Sequence, residues 1–113
     1  MKRYKNARGQ LHRVDGPAVS DTDGYQEWYF EGELHRLDGP AVVVPDGDTG
    51  DRYWFFHGIR HRADGPAVMY SNGICGWWWN GHRLDSMDEY CQVAGIEGKH
   101  KTLFLLKYSG VAA

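Results

Sequence analysis

The sequence has no long apolar run, few cysteines and little net charge. No apolar stretch approaches the roughly 18 residues that a membrane-spanning helix requires, so we expect no membrane contact. Cys75 and Cys91 are the two cysteines, and their wide separation argues against a disulfide framework or a cysteine metal site and fits a reducing compartment. The net charge of −2 argues against nucleic acid as a partner.

Signals for secretion and for common catalytic chemistry are also missing. Residues 1–6 contain no apolar segment of the kind that a secretory signal needs, so we expect a cytoplasmic protein. The sequence contains no nucleophile elbow, no glycine-rich phosphate loop and no close pair of carboxylates. It therefore predicts a non-enzymatic protein without a cofactor or a metal.

The charges that are present are unevenly distributed. Nine acidic residues and one basic residue, Arg36, lie between positions 21 and 51. Such a stretch is either a solvated acidic surface or a face that docks on a basic partner.

One phrase is written three times along the chain. Residues 9–19 read GQLHRVDGPAV, residues 32–42 read GELHRLDGPAV and residues 58–68 read GIRHRADGPAV, and a broken fourth copy follows at 81–85. A phrase that recurs at a short, nearly regular spacing indicates structural units that stack on their neighbours. Because a chemical site is normally assembled once, we interpret the polar residues of the phrase as structural. They are His12, Asp15, His35, Asp38, His61 and Asp64.

Aromatic blocks separate the copies of the phrase. Each block has three consecutive rings before a polar-glycine turn, which is typical of a β-strand that enters a hairpin. The sequence thus predicts a mainly β protein, an elongated single antiparallel sheet of about three hairpin repeats over residues 1–85, with about six or seven strands of roughly six residues. The units are residues 9–31, 32–57 and 58–80, with a partial unit at 81–85.

Side chains alternate between the two faces of a strand, which sorts the aromatic residues into two sets. The larger set, expected on the inner face, is Trp28, Phe30, Trp54, Phe56, Trp77 and Trp79. The middle ring of each block, Tyr29, Phe55 and Trp78, points the other way. These three rings either bind a partner protein or are buried, under the C-terminal segment or in a homodimer.

The C-terminal segment, residues 86–113, is predicted to be a short helical cap. Ser86 and Glu89 form a capping box at a helix start, and Gly95 is a helix stop. The apolar stripe between them is Met87, Tyr90, Cys91 and Ala94. Residues 102–108 form a second apolar run, for which we favour a helix over a strand.

Two segments carry a family resemblance. Residues 64–73, DGPAVMYSNG, followed by WWWNG at 77–81, resemble a MORN-type repeat of the short bacterial variety. The phrase HRxDGPA with a WWxNG partner also resembles repeats in small proteins of tailed bacteriophages. The resemblance covers about residues 4–85. It implies a sheet that serves as a binding or scaffolding surface, in a phage protein that inhibits or redirects a host protein by occlusion in the host cytoplasm.

Three functions are therefore open. We favour a protein-binding module that contacts its partner through Tyr29, Phe55 and Trp78. The second is a metal-dependent hydrolase or nuclease that uses the repeated histidines and aspartates, although equivalent residues in neighbouring units lie roughly 9–10 Å apart, too far to share an ion without bending. The third is a structural subunit that associates with copies of itself.

Overall fold

The chain folds mainly into short β-strands followed by two helices, and the computed structural model describes residues 1–108. The strands of the first half are β1 Lys2–Arg3, β2 Val19–Ser20, β3 Gln26–Glu27, β4 Tyr29–Phe30, β5 Glu33–Leu34 and β6 Val42–Val43. Those of the second half are β7 Arg52–Tyr53, β8 Phe55–Phe56, β9 Ile59–Arg60, β10 Val68–Met69, β11 Cys75–Trp79 and β12 His82–Leu84. The helices are α1 Met87–Ala94 and α2 Gly98–Tyr108.

The strands form one long antiparallel sheet with two small hairpins beside it. Eight strands follow the order β1-β2-β3-β6-β7-β10-β11-β12, and the hairpins are β4-β5 and β8-β9. The molecule measures 46 × 30 × 21 Å along its principal axes. The predicted fold class, an antiparallel sheet with a short helical cap, is confirmed.

The strands are shorter and more numerous than predicted, because the chain changes its pairing partner at the tryptophan that begins two of the aromatic blocks. The Trp28 N–H donates to the Ala41 carbonyl at 2.7 Å, whereas the Trp28 carbonyl accepts from the His35 N–H at 2.9 Å. The chain thus pairs with one neighbouring segment before the tryptophan and with another after it. Trp54 makes the same change of partner, and in the third block β11 runs unbroken from β10 to β12.

The core lies at the C-terminal end of the sheet, where the helices pack against it. Its buried members are Cys75, Trp77, Tyr90 and Tyr108. Elsewhere the sheet is thin, and the residues that are fully buried along it include a small one from each phrase, Ala18, Ala41 and Ala67. A larger side chain at these fully buried positions would have to displace its neighbours.

Helix α1 begins and ends where local signals place it. The Ser86 Oγ accepts from the Glu89 N–H at 3.1 Å, and the Glu89 carboxylate accepts from the Asp85 N–H at 2.8 Å. Gly95 ends the helix in the left-handed conformation, with φ of 73°.

The second apolar run of the tail is part of helix α2 rather than a strand. Helices α1 and α2 are called the cap below. Neither helix in the described part of the chain is long and apolar enough to cross a bilayer. The last residues of the predicted cap, 109–113, lie outside the described residues.

Candidate functional site

The three rings predicted to contact a partner occupy equivalent places in their hairpins. Each pairs directly with a residue on the adjoining strand, and such partners point to the same face of a sheet. The pairs are Tyr29–Leu34, Phe55–Arg60 and Trp78–Arg83. We call these six residues the aromatic row, in which the three rings are half-buried.

Backbone hydrogen bonds join the hairpins that carry the aromatic row. The Gly58 N–H donates to the Leu34 carbonyl at 2.7 Å, and the Gly81 N–H donates to the Arg60 carbonyl at 2.8 Å. These bonds set the next hairpin beside the previous one, so the row continues across all three units.

The aromatic row lies on the face opposite the cap. Trp77 and Trp79 contact the cap, with ring centroids 5.0 and 5.9 Å from Tyr90. Trp78 lies between them in β11 and therefore points away. Burial of the row beneath the described part of the C-terminal segment, one of the three possibilities that the sequence left open, is thus not what the structure shows.

A cation lies among the rings of the aromatic row. The Arg60 guanidinium carbon is 5.4 Å from the centroid of Phe55 and 5.0 Å from that of Trp78. Its Nε is buried and has no hydrogen-bond partner among the described residues. Attraction to the ring faces holds the charge in place, so the row presents both apolar surface and a positive charge.

Tyrosines on the same face bond to acidic side chains. The Tyr25 hydroxyl donates to Glu27 at 2.8 Å, and the Tyr53 hydroxyl donates to Asp51 at 3.1 Å. Desolvation, with the Glu27 carboxylate, raises the pKa of Tyr25 to about 12. Desolvation also raises the pKa of Tyr29 and of Tyr53. All three phenols are therefore protonated at neutral pH, and the carboxylates give this face negative charge beside Arg60.

The repeated histidines lie on the cap side of the sheet, where they alternate with aromatic rings. The order along this histidine ladder is His12, Phe30, His35, Phe56, His61 and Trp79. Successive ring centroids are separated by 4.8, 6.1, 4.9, 6.2 and 4.5 Å. A ring therefore separates each histidine of the repeat from the next.

Each ladder histidine also bonds to the backbone of a neighbouring turn. The Nδ1 atoms of His12, His35 and His61 accept N–H bonds of 2.9, 2.9 and 3.0 Å; the donors are Glu31, His57 and Asn80. Each donor precedes a glycine and has a positive φ, of 48°, 46° and 46°. Only an imidazole without a proton on Nδ1 can accept such a bond. Desolvation, which lowers the pKa of His35 and His61, favours that neutral state.

The fourth copy of the phrase is out of register with the other three. His82 lies opposite Trp79 in its hairpin, the place that Ile59 takes opposite Phe56. Counted from the turn, the equivalent of His61 is therefore Leu84. The sequence match at residues 81–85 does not continue the histidine ladder.

The arginine and aspartate of each phrase bond to each other within one short segment. We call this segment, from the histidine to the proline, a connector. We number the connectors 1 (residues 12–17), 2 (residues 35–40) and 3 (residues 61–66). The Arg36 Nε donates to the Asp38 carboxylate at 2.9 Å, and its Nη1 donates to the Pro40 carbonyl at 3.2 Å. The hydrogen bond from Arg36 lowers the pKa of Asp38.

Connectors 1 and 3 repeat this arrangement, with Nε–Oδ1 distances of 3.2 Å to Asp15 and 2.8 Å to Asp64. Each arginine also covers an aromatic ring that lies earlier in the chain. The guanidinium carbons lie 4.2, 3.8 and 4.0 Å from the ring centroids; the rings are Tyr4, Trp28 and Trp54.

Two open grooves lie between successive connectors. Groove 1 lies over Trp28 between connectors 1 and 2, and groove 2 lies over Trp54 between connectors 2 and 3, with volumes of about 640 and 630 Å³. Val14 and Leu37 stand at their rims and are 78% and 81% exposed. No feature of the sequence alone indicated these grooves, because their walls come from segments more than 20 residues apart.

Among residues 1–108, no three histidine, cysteine or acidic side chains are grouped closely enough to hold a metal ion.

Comparison with known proteins gives no match: no protein-family model, no curated protein and no solved structure is significantly similar to this chain. The relation to MORN-type and phage repeats therefore stays a resemblance, carried by about residues 4–85.

Proposed function

We propose that this protein is a non-enzymatic module that binds another protein through the aromatic row. The observation that carries the proposal is the alignment of Tyr29, Phe55 and Trp78 across three hairpins, on the face opposite the cap. A cation, Arg60, lies between two of them. Tryptophan, tyrosine and arginine supply most of the binding energy at protein interfaces.

The geometry of the row suits a flat contact. Its rings are already partly packed by their neighbours, so they lose little side-chain entropy on binding. The residual surface of each ring still contributes, since apolar area removed from water stabilises a complex by about 25 cal/mol per Å². The carboxylates of Glu27 and Asp51 on this face favour a partner with basic side chains opposite them.

The resemblance to phage repeats extends the proposal to a mode of action. A sheet without catalytic machinery acts by covering a functional surface of its target. In a phage-infected cell the target would be a host protein in the cytoplasm, inhibited or redirected by occlusion. A second copy of the chain is the competing occupant of the row.

Capture from native cell extract tests the proposal with a matched pair of variants. Phe55→Ser removes a ring from the aromatic row, and Leu103→Ser removes apolar surface that is 65% exposed on helix α2. We expect the wild type and Leu103→Ser to retain the same protein, and Phe55→Ser to lose it while its circular dichroism is unchanged. Equal retention by both variants, or light scattering that shows only self-association through the row, would contradict the proposal.

A further inference from the structure

The cap holds connector 3 through two tyrosine hydroxyl groups. The Tyr90 hydroxyl donates to the Arg62 carbonyl and accepts from the Gly65 N–H at 3.3 Å. The Tyr108 hydroxyl donates to the Asp64 carbonyl at 2.9 Å. Two phenols thus satisfy three backbone groups of one connector.

The same three backbone groups are present in connectors 1 and 2, where nothing in the described chain bonds to them. In connector 2 they are the Arg36 and Asp38 carbonyls and the Gly39 N–H, and none of them has a hydrogen-bond partner within residues 1–108. The corresponding groups of connector 1, on Arg13, Asp15 and Gly16, are equally unpaired there. Gly39 is half-buried and lines groove 2, whereas Gly16 is buried and does not line groove 1. Connector 2 therefore presents an accessible copy of the backbone that binds tyrosine in connector 3.

Grooves 1 and 2 are continuous with the surface that the cap covers. Connector 3 is at once the wall to which the cap tyrosines bond and the far wall of groove 2. Pro66 in connector 3 is fully buried, whereas Pro17 and Pro40 in the other connectors are half-buried.

The floors of the grooves differ from the floor beneath the cap. Counted from the turn, Asp85 takes the place of the connector arginine in the last hairpin. Trp77 is therefore uncovered there, and Phe104 and Tyr108 pack on it with centroids at 5.7 and 5.6 Å. In the grooves the arginines stay on the indoles, so an incoming ring would stack on a guanidinium plane instead.

We propose that groove 2 is a docking site for a tyrosine side chain presented by an α-helical segment of a partner protein. The phenol would donate to the arginine or aspartate carbonyl and accept from the glycine N–H, as Tyr90 does in connector 3. Helical presentation is argued from the cap, which delivers both of its tyrosines from helices. The proposal concerns the cap face and does not depend on the aromatic row.

A titration followed by amide NMR tests the chemistry with small probes. N-acetyl-tyrosinamide added to the full-length, ¹⁵N-labelled protein should shift the amide resonance of Gly39 in a saturable manner. The Gly65 amide is already bonded to Tyr90 and should not move, which makes it an internal control. N-acetyl-phenylalaninamide lacks the hydroxyl and should shift Gly39 several-fold less at the same concentration. Equal shifts from both probes, or no shift at Gly39, would overturn the proposal.

A helical peptide tests the presentation. An alanine-rich helix with two tyrosines four positions apart places both rings on one side, and its phenylalanine counterpart is the control. We expect the tyrosine peptide to half-saturate the Gly39 shift at a concentration at least tenfold below that of N-acetyl-tyrosinamide. Binding no tighter than the amide would refute the helical partner. Concentration-dependent Gly39 shifts in the protein alone would refute it too, since they would assign the groove to a second copy.

Discussion

The hydroxyl of Tyr90 holds the cap on the sheet, so we expect Tyr90→Phe to destabilise the protein. Tyr90 is fully buried, and its hydroxyl makes one bond as donor to the Arg62 carbonyl and one as acceptor from the Gly65 N–H. Burial raises the pKa of Tyr90 to about 12, so the hydroxyl keeps its proton for the donor bond throughout the neutral range. Phenylalanine fills the same space without either bond.

The size of the effect follows from what Tyr90→Phe leaves behind. A buried backbone group that loses its hydrogen-bond partner costs about 1–3 kcal/mol. Gly65 is itself buried, so water cannot readily replace the lost acceptor. In a domain of this size each kcal/mol lowers the melting temperature by about 4 °C. We therefore expect a decrease of roughly 4–12 °C.

Thermal unfolding followed by circular dichroism measures this decrease against a matched variant. Tyr70→Phe removes the same atom from a ring that is 42% exposed, whose hydroxyl has no hydrogen-bond partner within residues 1–108. Its melting temperature should stay within about 2 °C of wild type, as is usual for surface changes. If Tyr90→Phe melted together with Tyr70→Phe, the hydroxyl contacts would not hold the cap, and the basis for the site in groove 2 would be lost.

Three further substitutions and conditions test the repeat geometry. Glu31→Asn should stabilise the protein by about 0.5–1 kcal/mol in urea unfolding, because Glu31 has a φ of 48° and asparagine tolerates the left-handed conformation better; an unchanged or lower stability would contradict this. Gly39→Ala should cost up to about 1 kcal/mol, because the added Cβ would lie 2.9 Å from the Arg36 Cζ and displace that guanidinium from Trp28 and Asp38, whereas Gly47→Ala, with nothing within 4 Å of its Cβ, should cost less than half as much. Acidification should destabilise the protein, because burial lowers the pKa of His61 in the folded state and the unfolded chain therefore binds the proton more readily. The stability that the neutral His61 contributes is fully present at pH values above the ordinary histidine pKa of about 6.5, and it is lost as the pH falls below that value. His61→Gln, which keeps an acceptor but does not titrate, should reduce the decrease in melting temperature between neutral and acidic pH.

The elements that the sequence predicted well depend on neighbouring residues. The start of α1 at Ser86 and its end at Gly95 follow from side-chain capping and a left-handed glycine, which act within one turn of the helix. The antiparallel β class followed likewise from aromatic blocks next to turn residues. The strand lengths did not, because at Trp28 and Trp54 the backbone changes its hydrogen-bonding partner from one neighbouring segment to another.

The candidate site was predictable only in part. Alternation along a strand separates Trp78 from Trp77 and Trp79, so the three rings of the aromatic row could be derived in advance. Their partners on the adjoining strands, Leu34, Arg60 and Arg83, could not, because they depend on the register of the hairpins. The bond from the Glu31 N–H to His12 could not, because the two residues are 19 positions apart.

By itself the sequence determined the hairpin units, their turns and the first helix, because each depends on torsional preferences and side-chain bonds within a few residues. Only the tertiary structure decided which face the cap covers, that His82 falls out of register with His61, and that two connectors keep unpaired backbone groups. Those outcomes depend on strand register and on how distant segments pack. A shift of two residues leaves the letters of a repeated phrase almost unchanged, but it moves every side chain to another place on the sheet.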